Sequence, residues 1–459
     1  MQVQTVILAA GKGTRMVSRY PKVLHEVGGR PMLAHVLEAA QAQAPEAITI
    51  VVGYGADQVE EAFARTEARF VRQEVQKGTG HAVACAGPDF AGAEWVVVLN
   101  GDVPLLRGQT LSDWLAAMEG TSTEVGILTA RPPDPTGYGR VLRNTKGCVT
   151  GIREEKDAAP EELGISEVFT GILAVRRERL AQFLAEMDAD NAQGEYYITD
   201  VVEAAASEAG VHAHCLADPG EVQGVNDRTQ LAAAEAIYQR RQAKALMDGG
   251  VTLRAPERTT LLGSIQPGPD TVIEPDCHLE GEVALGEAVH IGPGCFLRDC
   301  RLESEAVIEP HSYIDGAQVG PGARVGPFAR LRTGTRLAAK AQVGNFVETK
   351  NAHLAEGVKA NHLSYVGDAE VGPGANLGAG TITCNYDGHA KHSTQIGAGA
   401  FIGSAVQLVA PVRIGEKATI GAGSTITKDA PDGALTLARS KQITKHDWRR
   451  PEDRKGEEG

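Results

Sequence analysis

An aliphatic residue recurs at every sixth position through much of the second half of the chain. One unbroken run consists of Ile396, Ile402, Leu408, Ile414, Ile420 and Ile426. Two earlier runs keep the same spacing: Ile273, Leu279, Leu285, Ile291 and Leu297, then Val319, Val325, Leu331, Leu337 and Val343. A helix face repeats every 3.6 residues and a strand face every two, so a period of six indicates one short strand and one turn per repeat. This pattern is typical of a hexapeptide parallel β-helix, and it argues against a disordered glycine-rich tail.

The six-residue period breaks conspicuously at TCNYDGHAKHSTQ, residues 383–395. At that point a loop must leave the coil. Loops that project from a regular scaffold often carry function. We therefore expect part of a functional site in this loop.

The first half of the chain has a different pattern of apolar residues. The apolar runs TVILAAG, ITIVVGYG and EWVVVLNGD each end in glycine or an acid, and amphipathic stretches lie between them. This alternation predicts parallel strands with crossover helices, a doubly wound α/β domain whose ligands bind beyond the carboxyl ends of the strands. The stretch Thr229–Gly250 predicts a connecting helix closed by Gly-Gly. We expect an α/β domain over 1–228, a linker over 229–250, and a β-helix with a polar tail over 251–459.

Composition excludes several classes of protein. The 459 residues are 42% hydrophobic, and no apolar run reaches the length of a membrane span. The amino terminus resembles a first strand and not a signal peptide, so we expect a cytoplasmic protein. A net charge of −14 argues against a nucleic-acid partner. The seven cysteines are scattered with no CxxC pair, which indicates neither a disulfide framework nor a zinc site.

The stretch LAAGKGTRM, residues 8–16, combines a glycine-rich turn with cations directly after the first strand. It fits neither the P-loop nor the dinucleotide-binding pattern. Backbone N–H groups together with Lys12, Arg15 and Lys22 would nevertheless suit a triphosphate. Lys12 fits a solvated surface lysine equally well.

Several motifs occur in a characteristic order: LAAGKGTRM with PKVLH, QKGTGHA, GDVPL, DPTGYGR, NAQGEYYITD and VQGVNDR. In this respect the first half resembles the sugar-1-phosphate nucleotidyltransferases. With the hexapeptide half, nearly the whole chain to Arg450 is similar to the bifunctional N-acetylglucosamine-1-phosphate uridyltransferase/glucosamine-1-phosphate N-acetyltransferase family. The resemblance implies a left-handed β-helix and a homotrimer. It also implies acetyl transfer from acetyl-CoA and then uridylyl transfer from UTP, which supplies precursors of bacterial peptidoglycan and lipopolysaccharide.

The resemblance also implies roles for residues of the first domain. Arg15 and Lys22 would act on the triphosphate, and Asp102 and Asn226 would hold Mg²⁺. The uracil and ribose would be bound by Leu8, Ala9, Ala10, Gly11, Gln73, Gly78 and Thr79, and the sugar by Gly139, Glu154, Thr170 and Asn226. Two simpler interpretations remain open, because Asp102 would also suit a strand-end turn and Asn226 a helix cap.

In the second half, the candidates lie around the break in the period. A histidine can accept a proton at neutral pH, so His362 is the candidate general base for the substrate ammonium, although a lone histidine is more often a packed or surface residue. The sugar phosphate would contact Arg332, Lys350, Tyr365, Asn376 and Lys391. By resemblance, acetyl-CoA would be bound by Ala379, Asn385, Tyr386, Ser404, Ala422 and Arg439. The small residues among these suit a tight coil equally well.

Two other functions compete with the bifunctional enzyme. In one, the β-helix of a sugar nucleotidyltransferase is only an oligomerisation or regulatory module; in the other, the chain is a structural scaffold. A spacer has no reason to hold Arg332, Lys350, His362, Asn376 and Lys391, and a scaffold has no reason to hold a phosphate cradle. One departure stands out: Phe169 replaces the family asparagine in EVFTG. We expect this change to weaken discrimination between N-acetylglucosamine-1-phosphate and glucose-1-phosphate.

Overall fold

The computed structural model describes residues 1–87, 90, 92–186, 194–208, 210–450 and 452. Residues 191–193 of the NAQGEYYITD motif and most of the polar tail lie outside the described residues. The chain forms two compact units, Met1–Arg241 and Gln242–Gly459. The division falls inside the helix that the sequence predicts as a connector.

The first unit alternates strands and helices. Its strands are β1 (Val3–Ala9), β2 (Glu26–Val27), β3 (Arg30–Pro31), β4 (Ala47–Val52), β5 (Arg69–Arg72), β6 (Trp95–Asn100), β7 (Val125–Ala130), β8 (Arg140–Arg143), β9 (Val149–Arg153), β10 (Val168–Arg176) and β11 (Val211–Cys215). The helices are α1 (Met32–Gln41), α2 (Ala56–Ala62), α3 (Thr79–Cys85), α4 (Gly108–Met118), α5 (Pro160–Leu163), α6 (Arg177–Glu186), α7 (Asp200–Glu208) and α8 (Arg228–Asp248), the last running into the second unit.

All of these strands except β2 and β3 form a mixed sheet of order β11-β7-β10-β6-β1-β4-β5, in which β8 also pairs with β10 and β9 pairs with β8; β2 and β3 pair with each other. Strand β1 is parallel to both β4 and β6, as the sequence predicts. Strand β10 runs antiparallel to β6 and β7, which the alternation of apolar runs does not reveal. Both faces of the sheet are covered, because Val6 and Ile7 belong to different buried clusters. A strand buried on both faces has a continuous apolar sequence, which explains the composition of β1.

The second unit consists of short strands. They are β12 (Thr252–Leu253), β13 (Thr260–Gln266), β14 (Val272–Ile273), β15 (His278–Leu285), β16 (His290–Ile291), β17 (Phe296–Leu302), β18 (Val307–Ile308), β19 (Tyr313–Asp315), β20 (Gln318–Val319), β21 (Arg324–Val325), β22 (Arg330–Leu331), β23 (Arg336–Leu337), β24 (Gln342–Asn345), β25 (Glu348–Leu354), β26 (Lys359–His362), β27 (Tyr365–Val371), β28 (Asn376–Leu377), β29 (Ile382–Cys384), β30 (Thr394–Ile396), β31 (Phe401–Ile402), β32 (Gln407–Val409), β33 (Val412–Ile414), β34 (Thr419–Ile420), β35 (Thr425–Ile426) and β36 (Leu435–Thr436).

All pairings between these strands are parallel and join neighbouring coils of a left-handed β-helix. Ile273 pairs with Ile291, which pairs in turn with Ile308, so several repeats of the sequence period make up each coil. The predicted aliphatic positions point inward: Ile402, Leu408, Ile414 and Ile420 have no exposed surface. The six-residue period is therefore the period of the core.

Three cysteines belong to this interior. Burial raises the pKa of Cys277 to about 11 and the pKa values of Cys295 and Cys300 to about 12. At neutral pH these thiols stay protonated, and only a thiolate binds metal or attacks as a nucleophile. They act as small apolar side chains in the core.

One coil is longer than its neighbours. Asn376 pairs with Phe401, and the chain between these two partners is longer than the chain between Ile291 and Ile308. The extra residues form the loop that the break in the period predicts, and a bridge between Tyr386 and Lys391 closes it. Asp387 accepts hydrogen bonds from the N–H of Ala390, the side chain of His392 and the N–H of His389, which lower its pKa and fix the loop.

Across the described part of the chain, none of the helices combines the length and apolar character that crossing a bilayer requires.

Candidate active sites

A cleft of about 410 Å³ lies beyond the carboxyl ends of β1 and β6. We call it the nucleotide cleft. It is lined by Leu8, Ala9, Ala10, Gly11, Lys22, Val23, Gln73, Gln76, Gly78, Thr79, Ala82, Asn100, Asp102 and Glu195. The structure thus brings together all the residues that the sequence assigns to the uracil and ribose.

Close packing shapes the rim of this cleft. Gly13 has a φ of 57°, and a Cβ there would lie 2.7 Å from the Cβ of Lys22. Glycine at this position lets the PKVLH segment pack against the glycine-rich turn. Gly78 has a φ of 104°, and a Cβ there would lie 2.5 Å from the carbonyl oxygen of Tyr196. Larger residues at either position would push the two sides apart.

Two glutamines brace the cleft. The buried Gln73 donates from Nε2 to the carbonyl oxygen of Gly78 at 3.1 Å. Gln76 donates to the carbonyl oxygen of Ala10. Gln76 and Asn100 also line the cleft, although neither is assigned a role from the sequence. Their positions in the sequence could have indicated this, because Gln76 lies inside QKGTGHA and Asn100 directly precedes GDVPL.

The two predicted metal ligands, Asp102 and Asn226, both accept hydrogen bonds from one ammonium group. The Nζ atom of Lys22 donates to a carboxylate oxygen of Asp102 and, at 3.1 Å, to Oδ1 of Asn226. Side-chain exposure is 14% for Lys22 and 18% for Asp102. A carboxylate and an amide oxygen that converge on a cation suit Mg²⁺, which takes few protein ligands and completes its shell with water and phosphate oxygens. Among the described residues, no group of three or more His, Cys, Asp or Glu side chains could hold a metal by itself.

Asn226 does not cap the following helix. Asp227 does, because its Oδ1 accepts the backbone N–H of Gln230 at 2.8 Å. Gln230 reaches back and accepts the N–H of Asn226 at 2.7 Å. The side chain of Asn226 is therefore directed to Lys22, and the helix-cap alternative is wrong for this residue.

A second compartment of about 440 Å³ shares Thr79, Asn100 and Asp102 with the nucleotide cleft. We call it the sugar compartment. Its lining includes Arg15, Gly139, Glu154, Phe169, Thr170 and Asn226. Every residue that the sequence assigns to the sugar therefore lines it. Burial raises the pKa of Glu154, whose Oε1 lies 3.5 Å from the hydroxyl of Thr199.

Strand β10 forms one wall of the sugar compartment through an irregularity. Its register with β7 shifts between Phe169 and Leu173. Gly171, at a φ of 79°, packs so closely on Asn100 that a Cβ at position 171 would lie 2.1 Å from the side-chain nitrogen Nδ2 of Asn100. Phe169 is 5% exposed, and its N–H donates to the carbonyl oxygen of Gly139 at 2.8 Å. The departure from the family pattern thus lies in the wall of the compartment.

In the β-helix, three cations converge on neighbouring coils. Lys391, on the projecting loop, and then Arg332 lower the pKa of Lys350, which indicates that these positive charges lie close together. Arg332 is held by Glu348 at 2.8 Å. We call Arg332, Lys350 and Lys391 the cation cluster. Like charges repel unless an anion joins them, so this grouping suits a phosphate.

Tyr365 and Asn385 lie on the coils beside this cluster. A Cβ at Gly367 would lie 2.4 Å from the hydroxyl oxygen of Tyr365, so the ring covers that glycine. Asn385 is buried and donates to Asp368, while Tyr386 is exposed and donates to the carbonyl oxygen of Gly388 at 2.7 Å. Asn376 pairs with Lys359 on the preceding coil.

His362 belongs to a row of residues at equivalent positions on successive coils. The row, which we call the base column, comprises Asn345, His362, Ala379, Ser404 and Ala422. Asn345 and His362 pair directly, and the N–H of Ala405 donates to the carbonyl oxygen of Ala379 at 2.7 Å. Arg439 extends the row by donating to the carbonyl oxygen of Ala422 at 2.8 Å. The structure therefore aligns the candidate base with four of the residues assigned to acetyl-CoA.

Family models match both halves of the chain. The MobA-like NTP transferase domain matches residues 5–194, the GMPPB C-terminal domain residues 261–354, and the bacterial transferase hexapeptide, as six repeats, residues 393–428. These matches identify an NTP-transferase half and a hexapeptide-transferase half.

Full-length relatives share both halves. The bifunctional protein GlmU of Alkalilimnicola ehrlichii is 57% identical over 450 residues, which cover 98% of this chain and 96% of the relative. The proteins of the same name from Ralstonia pickettii and Pseudomonas entomophila are each 50% identical, over 98% of this chain and 99% of their own lengths. The chain therefore belongs to the GlmU family of bifunctional proteins.

Proposed function

We propose that this enzyme transfers an acetyl group from acetyl-CoA to glucosamine-1-phosphate in its β-helix and then transfers uridylyl from UTP to the product in its α/β domain. The observation that carries this proposal is the presence of two complete sets of groups, one in each unit. The first is the nucleotide cleft joined to the sugar compartment. The second is the cation cluster with the base column. A β-helix that served only as a spacer would not need the second set.

In uridylyl transfer, a phosphate oxygen of N-acetylglucosamine-1-phosphate attacks the α-phosphorus of UTP, and the bond to pyrophosphate breaks. The phosphate is already a nucleophile at neutral pH, so the protein mainly positions the reactants and stabilises charge. Leu8–Gly11, Gln73, Gly78 and Thr79 bind uridine. Lys22, in the nucleotide cleft, and Arg15, in the adjoining sugar compartment, face the triphosphate. Gly139, Glu154 and Thr170 bind the sugar.

Asp102 and Asn226 would hold Mg²⁺, which neutralises phosphate charge when bound. Lys22 already links these two side chains, so they are arranged around a cation. The ammonium of Lys22 also keeps the Asp102 carboxylate compensated, since a partly buried charge is costly without a partner.

In acetyl transfer, the substrate ammonium first loses a proton to Nε2 of His362. The amine nitrogen then attacks the thioester carbonyl carbon, the C–S bond breaks, and the departing thiolate takes up the proton that the nitrogen loses as the amide forms. His362 returns its proton to water. The cation cluster binds the sugar phosphate together with Tyr365 and Asn376. Acetyl-CoA lies along Ala379, Asn385, Tyr386, Ser404, Ala422 and Arg439.

We further propose a homotrimer formed by β-helices in the cytoplasm. An apolar stripe along one edge supports oligomerisation: Phe328 stacks on His311 at 5.1 Å and on Phe346 at 5.4 Å between ring centroids. Phe328, Phe346 and Leu363 are 50%, 56% and 61% exposed. Such a continuous exposed apolar row is typical of an interface.

One purified sample assayed for both half-reactions tests the proposed function. We expect thiol release from acetyl-CoA with glucosamine-1-phosphate, and pyrophosphate release from UTP with N-acetylglucosamine-1-phosphate. Only the second activity would favour the alternative in which the β-helix is a regulatory or oligomerisation module. A sample that shows neither of the two activities would contradict the proposal.

Phe169→Asn should sharpen sugar selectivity. We expect the ratio of kcat/KM for N-acetylglucosamine-1-phosphate over glucose-1-phosphate to rise a few-fold, since a neutral hydrogen bond contributes about 0.5–1.5 kcal/mol. Phe169→Leu is the matched control, because it keeps an apolar wall and should leave the ratio unchanged. If Phe169→Asn leaves the ratio unchanged, or lowers both values together, then residue 169 serves packing alone.

A further inference from the structure

Asn345 is a polar side chain that no motif singles out, yet it contacts the candidate base. Its Oδ1 lies 2.7 Å from Nδ1 of His362. The two residues occupy paired positions on β24 and β26. The register of the coil therefore places these two side chains next to each other.

The backbone holds the two strands close at this point. The N–H of Leu363 donates to the carbonyl oxygen of Asn345 at 3.0 Å. Gly344 precedes Asn345, and a Cβ there would lie 2.0 Å from the carbonyl oxygen of Asn361. Glycine at 344 thus permits the close approach that places Asn345 beside His362.

The chemistry of the contact favours one state of the imidazole. An amide oxygen accepts hydrogen bonds and cannot donate, so this contact is a hydrogen bond only in the state in which Nδ1 of His362 carries the proton. In the neutral ring Nε2 then holds the lone pair. The His362 side chain is exposed, so Nε2 is accessible to a substrate ammonium.

We propose that Asn345 is a positioning residue for acetyl transfer, which holds His362 in the Nδ1–H form and leaves Nε2 free to accept the proton. This inference rests on the proposed role of His362 as general base. Without an acceptor at Nδ1, the neutral ring divides between two tautomers and rotates more freely. Only one tautomer presents an accepting Nε2, so turnover should fall while substrate binding is kept.

The test compares Asn345→Leu with Asn345→Asp, which keeps an oxygen acceptor at the same distance. For acetyl transfer, we expect Asn345→Leu to lower kcat by about 10- to 100-fold, with both KM values within about twofold of the wild type. We expect Asn345→Asp to retain kcat within about threefold. Unchanged thermal unfolding and oligomeric state would show that the β-helix remains intact.

Glu370→Leu is the matched control, because Glu370 accepts from Nδ1 of His353 at 3.1 Å in the same manner on nearby coils. It should leave kcat unchanged. The proposal is overturned if Asn345→Leu keeps kcat within about twofold, if it raises KM alone, or if Asn345→Asp is as slow as Asn345→Leu. His362→Ala, measured in parallel, separates the two possible failures. If it stays active, the proposed base is wrong; if it is inactive while Asn345→Leu is not, only the positioning role fails.

Discussion

His362→Ala should lose acetyl transfer by about 10²- to 10⁴-fold, the usual contribution of a positioned general base. The substrate amine is protonated at neutral pH and cannot attack a thioester until the proton is removed. His362 supplies an exposed ring nitrogen whose partner nitrogen is already occupied by Asn345. The measurement is thiol release from acetyl-CoA at saturating glucosamine-1-phosphate.

Uridylyl transfer by the same preparation is the internal control and should stay at the wild-type rate. His353→Ala is a matched variant, because His353 is another exposed histidine of the β-helix with a partner on the next coil. If His362→Ala lowers the rate of acetyl transfer by less than tenfold, His362 is a surface residue and not the general base.

Asp102→Ala should lose uridylyl transfer by about 10²- to 10³-fold, because it removes a proposed metal ligand and the counter-ion of Lys22 together. The Lys22 ammonium would then keep Asn226 as its partner, and the triphosphate would meet a differently placed cation. Pyrophosphate release from UTP measures the loss. Acetyl transfer should not change.

Asp113→Ala is the matched control, since Asp113 is an exposed acid of α4 whose described partner is Gln109. It should keep both activities. Full uridylyl transfer by the wild type in EDTA would contradict the metal assignment, whatever the result with Asp102.

The general architecture could be predicted because each half has a period set by its own core. The inward positions of the β-helix repeat at every sixth position, and the strand β1 is apolar because it is buried on both faces. The direction of strand β10 could not be predicted, since an antiparallel strand in such a sheet has the same apolar composition as a parallel one. Its direction depends on tertiary pairing with β6 and β7.

The candidate site residues could be located by motif, but their contacts could not. Asn226 and Asp227 both suit a helix cap, and only the geometry shows that Asp227 caps while Asn226 faces Lys22. The contact between Asn345 and His362 could not be predicted from their separation in the sequence, because the length of the coil at that point must be known first. Lys391 lies close to Lys350 through the course of the projecting loop, which the sequence does not reveal. Long-range register produces these contacts.

The longer coil between Asn376 and Phe401 has a consequence for how the β-helix folds. Neighbouring coils are joined by pairings at nearly constant sequence separation, so each coil can form on the one before it, with a similar loss of chain entropy at each step. Loop-closure entropy grows only with the logarithm of length, and lengthening one coil by less than half costs only about 0.3 kcal/mol more. The loop that carries Lys391 therefore interrupts the sequence repeat without interrupting propagation of the solenoid, and Phe401 resumes the ladder in register with Thr419.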